Sequence, residues 1–321
     1  MIIVTGGAGF IGSCIVRTLN DMGRNDLVIV DNIASTDKWM NLRNKKFLPY
    51  VQKNDFLRAL PSYENVEAVI HMGAHSATTE KDFDFLWKNN FEYTKTLWNY
   101  CAEKKISFIY ASSAATYGDG KEGFDDRKDI DSLLPLNAYG YSKQLFDRWV
   151  REQAAAFPKQ YAGLKFFNVY GPNEYFKGSM ASMVFHGYRQ IRETGKIRLF
   201  RSCRPDCEDG GQRRDFVYVK DICSVICWLL RHPQVSGLMN VGTGCARSFR
   251  ELAEAVFQAL DREPDIEYID MPEHLKKTYQ YYTKAEISRL REAGYEQEFT
   301  DLETGVRDYV LTYLQKDYSV Y

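Results

Sequence analysis

The chain opens Met1-Ile2-Ile3-Val4-Thr5-Gly6-Gly7-Ala8-Gly9-Phe10-Ile11-Gly12, and this stretch decides the fold. A short apolar run without charge fits a buried parallel strand that starts with the first residues. Glycines 6, 9 and 12 follow, and Ser13 to Met22 then places Ile15, Val16 and Leu19 at helical spacing. Glycine lets such a loop turn tightly, approach a pyrophosphate and pack helix against strand, with the phosphates at the helix N-terminus. A second apolar strand, Leu27 to Val30, ends at Asp31. That acid lies about 20 residues beyond the glycines, where a ribose-binding carboxylate is expected. A chance turn would not bring strand, loop, helix, strand and terminal acid in this order.

Strand and helix signals keep alternating outward from there. Val66 to Ile70 reads as a strand, and Asp82 to Lys104 as one long helix containing Asn89-Asn90. Ser107 to Ser113 is a strand, Tyr139 to Ala156 a helix, and Leu164 to Val169 a strand carrying Asn168 near its end. Repeated units of this kind predict an α/β fold with a doubly wound parallel (Rossmann) sheet. Ligands bind outside the carboxyl ends of such strands, where the glycine loop, Asp31, the loop after His71, Ser113 and Asn168 all fall.

Beyond Gly171 the texture changes. Pro172 to Gly178 is a turn-rich loop with Lys177, followed by a helix from about Ser179 to Thr194. Cys203 to Arg214 reads as a polar surface insertion, with short strands at Asp215–Val219 and Leu238–Val241. Ser248 to Leu260 is amphipathic, and Ser248 with Glu251 three residues on forms a capping-box pattern. The expected organisation is a nucleotide-binding domain over 1–171, to which segments of about 215–245 return. A smaller, interleaved α/β substrate domain occupies mainly 172–321.

The chemistry concentrates in Asn137-Ala-Tyr139-Gly-Tyr-Ser-Lys143. Residues four apart on a helix share a face, so phenol and ammonium reach one pocket. A phenol with a pKa near ~10 is a poor base until a neighbouring cation favours its phenolate. In a chain with 22 tyrosines the pair gains specificity only from its company, Ser112-Ser113 and the glycine loop.

Composition is that of a soluble enzyme: 321 residues, a formal net charge of -1 and 26% charged residues. Such a chain buries a sizeable core and gives no electrostatic reason to bind nucleic acid or an anionic membrane. No apolar stretch approaches the ~18 residues of a membrane span, and no charged leader precedes the first strand, so a cytoplasmic enzyme is expected. Seven cysteines, an odd number, fit reduced thiols. Cys203 with Cys207 and Cys223 with Cys227 invite a zinc reading, but the second pair lies on an apolar helix, so core thiols and no metal are expected. His71 and His75 read as packing or loop residues.

The glycine loop, the set Ser113, Tyr139 and Lys143, and Asn168-Val-Tyr-Gly-Pro172 resemble the extended short-chain dehydrogenase/reductase superfamily. Phe166-Phe-Asn-Val-Tyr-Gly-Pro-Asn-Glu174 runs into Lys177-Gly-Ser-Met-Ala-Ser182. With Arg213-Arg-Asp-Phe-Val-Tyr-Val219 and Asn240-Val-Gly-Thr-Gly244, these runs resemble the ADP-L-glycero-D-manno-heptose 6-epimerase family. The likeness extends from Met1 to about Val306, and the Lys177 run is its most specific part.

The resemblance implies inversion at carbon 6 of an ADP-heptose, a step toward the lipopolysaccharide inner core, through a transient ketone. The family places one acid/base on each side of that carbon, matching Tyr139 and Lys177. Lys143 would hold the nicotinamide ribose and lower the tyrosine's pKa, and Ser113 would hydrogen-bond the reacting oxygen. Cofactor positions carried over are Gly6, Gly9, Phe10, Ile11, Gly12, Asp31, Asn32, Lys38, Lys53, Met72, Gly73, Ala74, His75, Ser76, Asn89, Lys143 and Val169. Substrate positions are Ser113, Asn168, Ser179, His186, Phe200, Arg201, Ser202, Cys203, Arg214 and Tyr279. A planar guanidinium such as Arg214 suits a pyrophosphate.

Asp31 favours the free 2′-hydroxyl of NAD, whereas Asn32, Lys38 and Lys53 match positions that bind NADP; NADP is expected and NAD stays open. The resemblance also implies a homo-oligomer, a pentamer. Three other readings compete. A sugar-nucleotide dehydratase needs an Asp-Glu pair after its active-site serine or threonine, where this chain has Ala114-Ala115. A UDP-hexose 4-epimerase fits the motifs better. A non-catalytic NAD(P)-sensing protein has no need of Ser113, Tyr139 and Lys143 together.

Overall fold

Each apolar run of the first half becomes a strand of a single parallel sheet. The structure, a computed structural model, describes residues 1–152, 156–276 and 279–321. Its strands are β1 (Ile2–Thr5), β2 (Leu27–Asp31), β3 (Tyr50–Gln52), β4 (Ala68–His71), β5 (Ser107–Ser113) and β6 (Gln160–Phe166). Then follow β7 (Asn168–Tyr170), β8 (Ile197–Phe200), β9 (Arg213–Tyr218), β10 (Gly237–Val241), β11 (Ala246–Ser248) and β12 (Ile266–Ile269). Seven of them form a wholly parallel sheet in the order β10-β6-β5-β4-β1-β2-β3. The winding reverses between β1 and β4, which opens a crevice at their carboxyl ends.

Burial on both faces explains why these strands read as continuous apolar runs. One face carries Ile3, Val28, Val69 and Phe108 against Trp98 and Phe146. The other carries Val4, Ile29, Ile70 and Leu164 against Ile15, Val225 and Ile226. Two smaller sheets, β11-β9-β7 and β12-β8, are built from the later segments of the chain. The helix after the glycine loop runs Phe10–Asp21. It starts at Phe10, not at Ser13: Gly9 is the N-cap, and its carbonyl accepts the Ser13 amide at 3.0 Å. Gly12 packs where no side chain fits, since a Cβ there would lie 2.1 Å from the Gly6 carbonyl oxygen.

Four expected elements differ. The helix over 82–104 is interrupted: Phe83–Leu86 and Tyr93–Lys104 are α-helical, and Trp87–Glu92 between them is a π-turn. Single π-turns often mark functional sites, and this one carries Asn89, which lines the crevice, and the buried Asn90. The strand expected over 164–169 breaks at Phe167, whose ring leaves the sheet to pack on Tyr117 and Phe124. β7 resumes at Asn168 and pairs with β9. β9 itself starts at Arg213, two residues early, through its antiparallel pairing with β11, and Val219 begins the helix Val219–Arg231. The helix expected from Ser179 starts at Met183, where the Ser182 hydroxyl caps it, and 178–180 form a 3₁₀ turn. The tail of the helix expected through Ala156 falls on 153–155, outside the described residues; the observed helix is Ala138–Glu152.

The capping box at Ser248 and Glu251 is formed and starts the helix Phe249–Ala259. Cys223 and Cys227 are buried in the core. Among the described residues, no helix is long and apolar enough to cross a membrane, and no cluster of His, Cys, Asp or Glu is placed to hold a metal.

Candidate active site

At the crevice lies a cleft of about 520 Å³. Its walls come from the glycine loop, the end of β2, the 72–76 loop, the π-turn, the end of β5 and the Lys177 loop. All seventeen residues expected at the cofactor line it, as do Ser113, Tyr139 and Lys177. Gly6, at φ +69°, lies so close to Gly73 that a Cβ would meet its amide nitrogen at 2.6 Å. The two loops therefore form one narrow backbone floor at the N-terminus of helix Phe10–Asp21, the geometry a pyrophosphate requires. Asp31, where the ribose end of a dinucleotide is expected, accepts hydrogen bonds from the amides of Ala8 (2.9 Å) and Asn32 (2.7 Å). Lys38 Nζ sits 2.8 Å from its Oδ1, and Lys53 Nζ donates to Asn89 Oδ1 at 2.5 Å. These residues fit a nicotinamide dinucleotide.

Tyr139 and Lys143 project from the first two turns of helix Ala138–Glu152 beneath Ser113, the last residue of β5. Lys143 donates to the Ala111 carbonyl at 2.9 Å. Burial brings its pKa down to about 8, with the Asp147 carboxylate acting the other way. Burial likewise raises the Tyr139 phenol above the usual value, a hydrogen bond with Ser113 pulling it back. The expected lowering by Lys143 is thus not seen in the protein alone. Desolvation dominates, and the Asp147 carboxylate pushes the phenol in the same direction.

Lys177 enters from the other side, on the loop 171–182. Its Nζ stands 5.1 Å from the centre of the Phe10 ring. Burial lowers its pKa, and Glu174 opposes the shift. The cleft thus holds two ionisable side chains on separate elements, Tyr139 on helix Ala138–Glu152 and Lys177 on the loop 171–182.

The expected substrate residues, Ser113 apart, lie outside the cleft lining. Phe200, Arg214 and Tyr279 come together: the two rings meet edge to face at 6.3 Å, and the Arg214 guanidinium covers Tyr279 at 5.3 Å and Phe249 at 5.6 Å. Arg214 is buried and donates to the carbonyls of Arg213 and Gln280. Arg201 is engaged with Asp209 (3.7 Å) and Asp270 (3.4 Å), and the Ser202 amide with Asp209 (2.8 Å). The Cys203 amide donates to the Tyr281 hydroxyl at 2.9 Å. Asn168 and Ser179 are exposed, and His186 is half-buried with its pKa lowered by that burial.

Sequence reasoning missed several residues. Asn90 exchanges hydrogen bonds with the His75 main chain (2.9 and 3.0 Å) and donates to Ser142 Oγ (3.0 Å), joining the 72–76 loop to the Tyr139 helix. A pair of asparagines inside a helix, where they are poor formers, was its signal. Asp147 and Lys165 make an ion pair at 3.3 Å, nearly inaccessible to solvent, between helix Ala138–Glu152 and β6. Asp147 also accepts from Ser112 Oγ (2.6 Å), and Lys165 donates to Thr116 Oγ1 (2.6 Å). The spacing Tyr139, Lys143, Asp147 signalled the acid. His71 is held by Thr5 Oγ1 at 2.5 Å and Thr94 Oγ1 at 2.9 Å, as a packing residue.

The comparisons with known proteins agree with this geometry. Residues 2–242 match the NAD dependent epimerase/dehydratase family. The chain is 52% identical over 329 aligned residues to an ADP-L-glycero-D-manno-heptose-6-epimerase of Fusobacterium nucleatum subsp. nucleatum, with 99% of both chains covered. Among solved structures, the Helicobacter pylori ADP-L-glycero-D-manno-heptose-6-epimerase superposes with a TM-score of 0.81 at 28% identity, over 96% of this chain and 94% of that one. The Thermus thermophilus UDP-glucose 4-epimerase in complex with NAD gives a TM-score of 0.78 at 25% identity, over 96% and 97%. The chain belongs to the NAD dependent epimerase/dehydratase family and, within it, to the ADP-L-glycero-D-manno-heptose-6-epimerases.

Proposed function

We propose that this protein converts ADP-D-glycero-β-D-manno-heptose to its L-glycero epimer at carbon 6, in the supply of lipopolysaccharide core precursors. The observation that carries the reading is Lys177 beside Tyr139: a second proton-transfer group lines the same cleft from a different element. Inversion through a ketone needs an acid/base on each face of the carbon, and a simple dehydrogenase needs only one.

A bound nicotinamide dinucleotide supplies the hydride acceptor and returns that hydride. The protein's own groups do the rest. Tyr139 or Lys177 takes the hydroxyl proton as carbon 6 is oxidised, and the other gives a proton to the ketone oxygen after the carbonyl has turned. Ser113 holds the reacting oxygen. Lys143, anchored on Ala111, orients the ribose. Desolvation lowers the pKa of both lysines, which makes Lys177 a better base than an exposed lysine. Phe200, Arg214 and Tyr279 bind the nucleotide end of the substrate, in a lobe formed largely by residues after 171.

NADP is the cofactor this site favours. The Lys38 ammonium on Asp31 offsets the charge that would repel a 2′-phosphate, and Lys53 adds a cation to the same end. The active form is a homo-oligomer, as the family likeness implies; light scattering on the purified protein measures its size. Ala114 and Ala115 stand where a dehydratase would carry its acid pair, which leaves epimerisation.

Proton NMR of ADP-D-glycero-β-D-manno-heptose, and separately of UDP-galactose, incubated with pure enzyme tests the reading. Conversion of the heptose alone supports it. Turnover of UDP-galactose with the heptose untouched overturns it in favour of a 4-epimerase.

A further inference from the structure

Glu174 is fully buried, at 0% exposure. Among the described residues no cation stands within ion-pair distance of it; three hydrogen bonds satisfy it instead. Its Oε1 accepts from the Gly171 amide (3.3 Å) and the Ser182 hydroxyl (2.6 Å), and its Oε2 from the Ser182 amide (2.6 Å). These are the two ends of the loop that carries Lys177. The Lys177 amide in turn donates to the Glu174 carbonyl at 3.0 Å. The loop also holds three backbone positions at positive φ, Gly171, Asn173 and Gly178. Glycine adopts positive φ freely; Asn173, at φ 73°, is the position that its surroundings hold.

A carboxylate buried without a cation is expensive, and burial raises the pKa of Glu174; but all three partners donate to it, which favours the ionised form and which an amide, with one accepting oxygen, could not fully satisfy. The groups around Glu174 are Cys14, Tyr175 and Tyr309, all pushed upward by burial and so neutral. Facing Lys177 are the Phe10 ring, Glu174 on its own loop, and Tyr139 and Lys143 across the cleft. Among the described residues, Glu174 is the carboxylate whose charge bears on Lys177.

We propose that Glu174 is the positioning residue for Lys177: its buried carboxylate clamps both ends of the lysine's loop and so places one negative charge behind the ammonium. The proposal rests on Lys177 as the second proton-transfer group. Burial and Glu174 act on this lysine in opposite directions, so the role of the charge separates from that of the clamp. Loss of the charge alone makes Lys177 more acidic. A loosened loop lets in water and returns the lysine toward its ordinary value.

The test titrates Lys177 directly, by the pH dependence of its acetylation with acetic anhydride read by peptide mass spectrometry, beside turnover measured by NMR. In Glu174→Gln the half-reaction pH falls by about one unit, and kcat falls roughly tenfold or more while KM holds. Glu174→Asp, which keeps the charge, moves the half-reaction pH back toward wild type. A raised half-reaction pH reports the loosened clamp; an unchanged half-reaction pH together with wild-type kcat in Glu174→Gln overturns the proposal. Should that variant not fold, Ser182→Ala answers instead: it loosens one tie, lowering kcat severalfold at constant KM, and an unchanged kcat overturns the proposal. If Lys177→Met keeps full activity, the site reading itself fails. If Lys177→Met is inactive while Glu174→Gln behaves as wild type, only the present proposal fails.

Discussion

The two walls of the active site are built on different principles. The Tyr139 wall is made of regular elements: β1, β2, β4 and β5 run in register to the two loops of the floor, and helix Ala138–Glu152 packs against β5. The Lys177 wall is irregular, with three positive-φ residues in eight and its shape held by a buried carboxylate. One wall is rigid because a parallel sheet is rigid. The other is rigid only as far as a few buried polar groups hold it. The residues proposed to hold the cofactor thus stand on the part that tolerates least change, and Lys177, proposed as the second proton-transfer group, on a part that local chemistry can adjust.

Variants on the two walls should therefore fail differently. The largest effect is expected of Gly12→Ala, whose added methyl would meet the Gly6 carbonyl at 2.1 Å. It should abolish dinucleotide binding and cost about 2 kcal/mol or more of stability, read by calorimetry of protein and cofactor. A Gly12→Ala protein that binds cofactor normally would show that the floor yields. Next is Arg214→Ala, on the nucleotide side, expected to raise KM by roughly ten- to a hundredfold with a smaller change in kcat. A pure kcat effect would place Arg214 in the chemistry. Lys38→Ala is smaller: about a tenfold loss of preference for NADP over NAD in equilibrium binding, by removing the charge that offsets Asp31.

The smallest effect is a pH dependence of stability. Lys143 and Lys45 are both held near about 8 by burial, against 10.5 in the unfolded chain. Between those values the unfolded state binds more protons, so their contribution rises from pH 8 toward 10.5. Lys45→Met should flatten that rise in a melting series without touching turnover. A rise as steep as in wild type would mean that Lys45 is not buried in solution.

How much of this was legible in the sequence follows the same division. β1, the glycine loop and Asp31 could be read because apolar runs, glycine and a terminal acid act locally. Tyr139 and Lys143 could be read because helical spacing puts them on one face. The break at Phe167 could not, since it depends on Tyr117 and Phe124, distant in sequence. The π-turn at 87–92 depends on Asn90 reaching His75 and Ser142. Lys177 was reached through family likeness alone, and Glu174 was overlooked because a buried acid in a loop looks like any surface acid. The raised Tyr139 pKa was misjudged for a related reason: spacing shows a neighbour's charge but not the depth of burial.

The central claim is that Tyr139 and Lys177 serve opposite faces of one carbon. The most direct test is proton NMR of ADP-D-glycero-β-D-manno-heptose with wild type, Tyr139→Phe and Lys177→Met, each shown to retain its dinucleotide. The account predicts conversion to the L-glycero epimer by wild type and a loss of about 100-fold or more in either variant. Near-normal epimerisation by folded, cofactor-loaded Lys177→Met would contradict it.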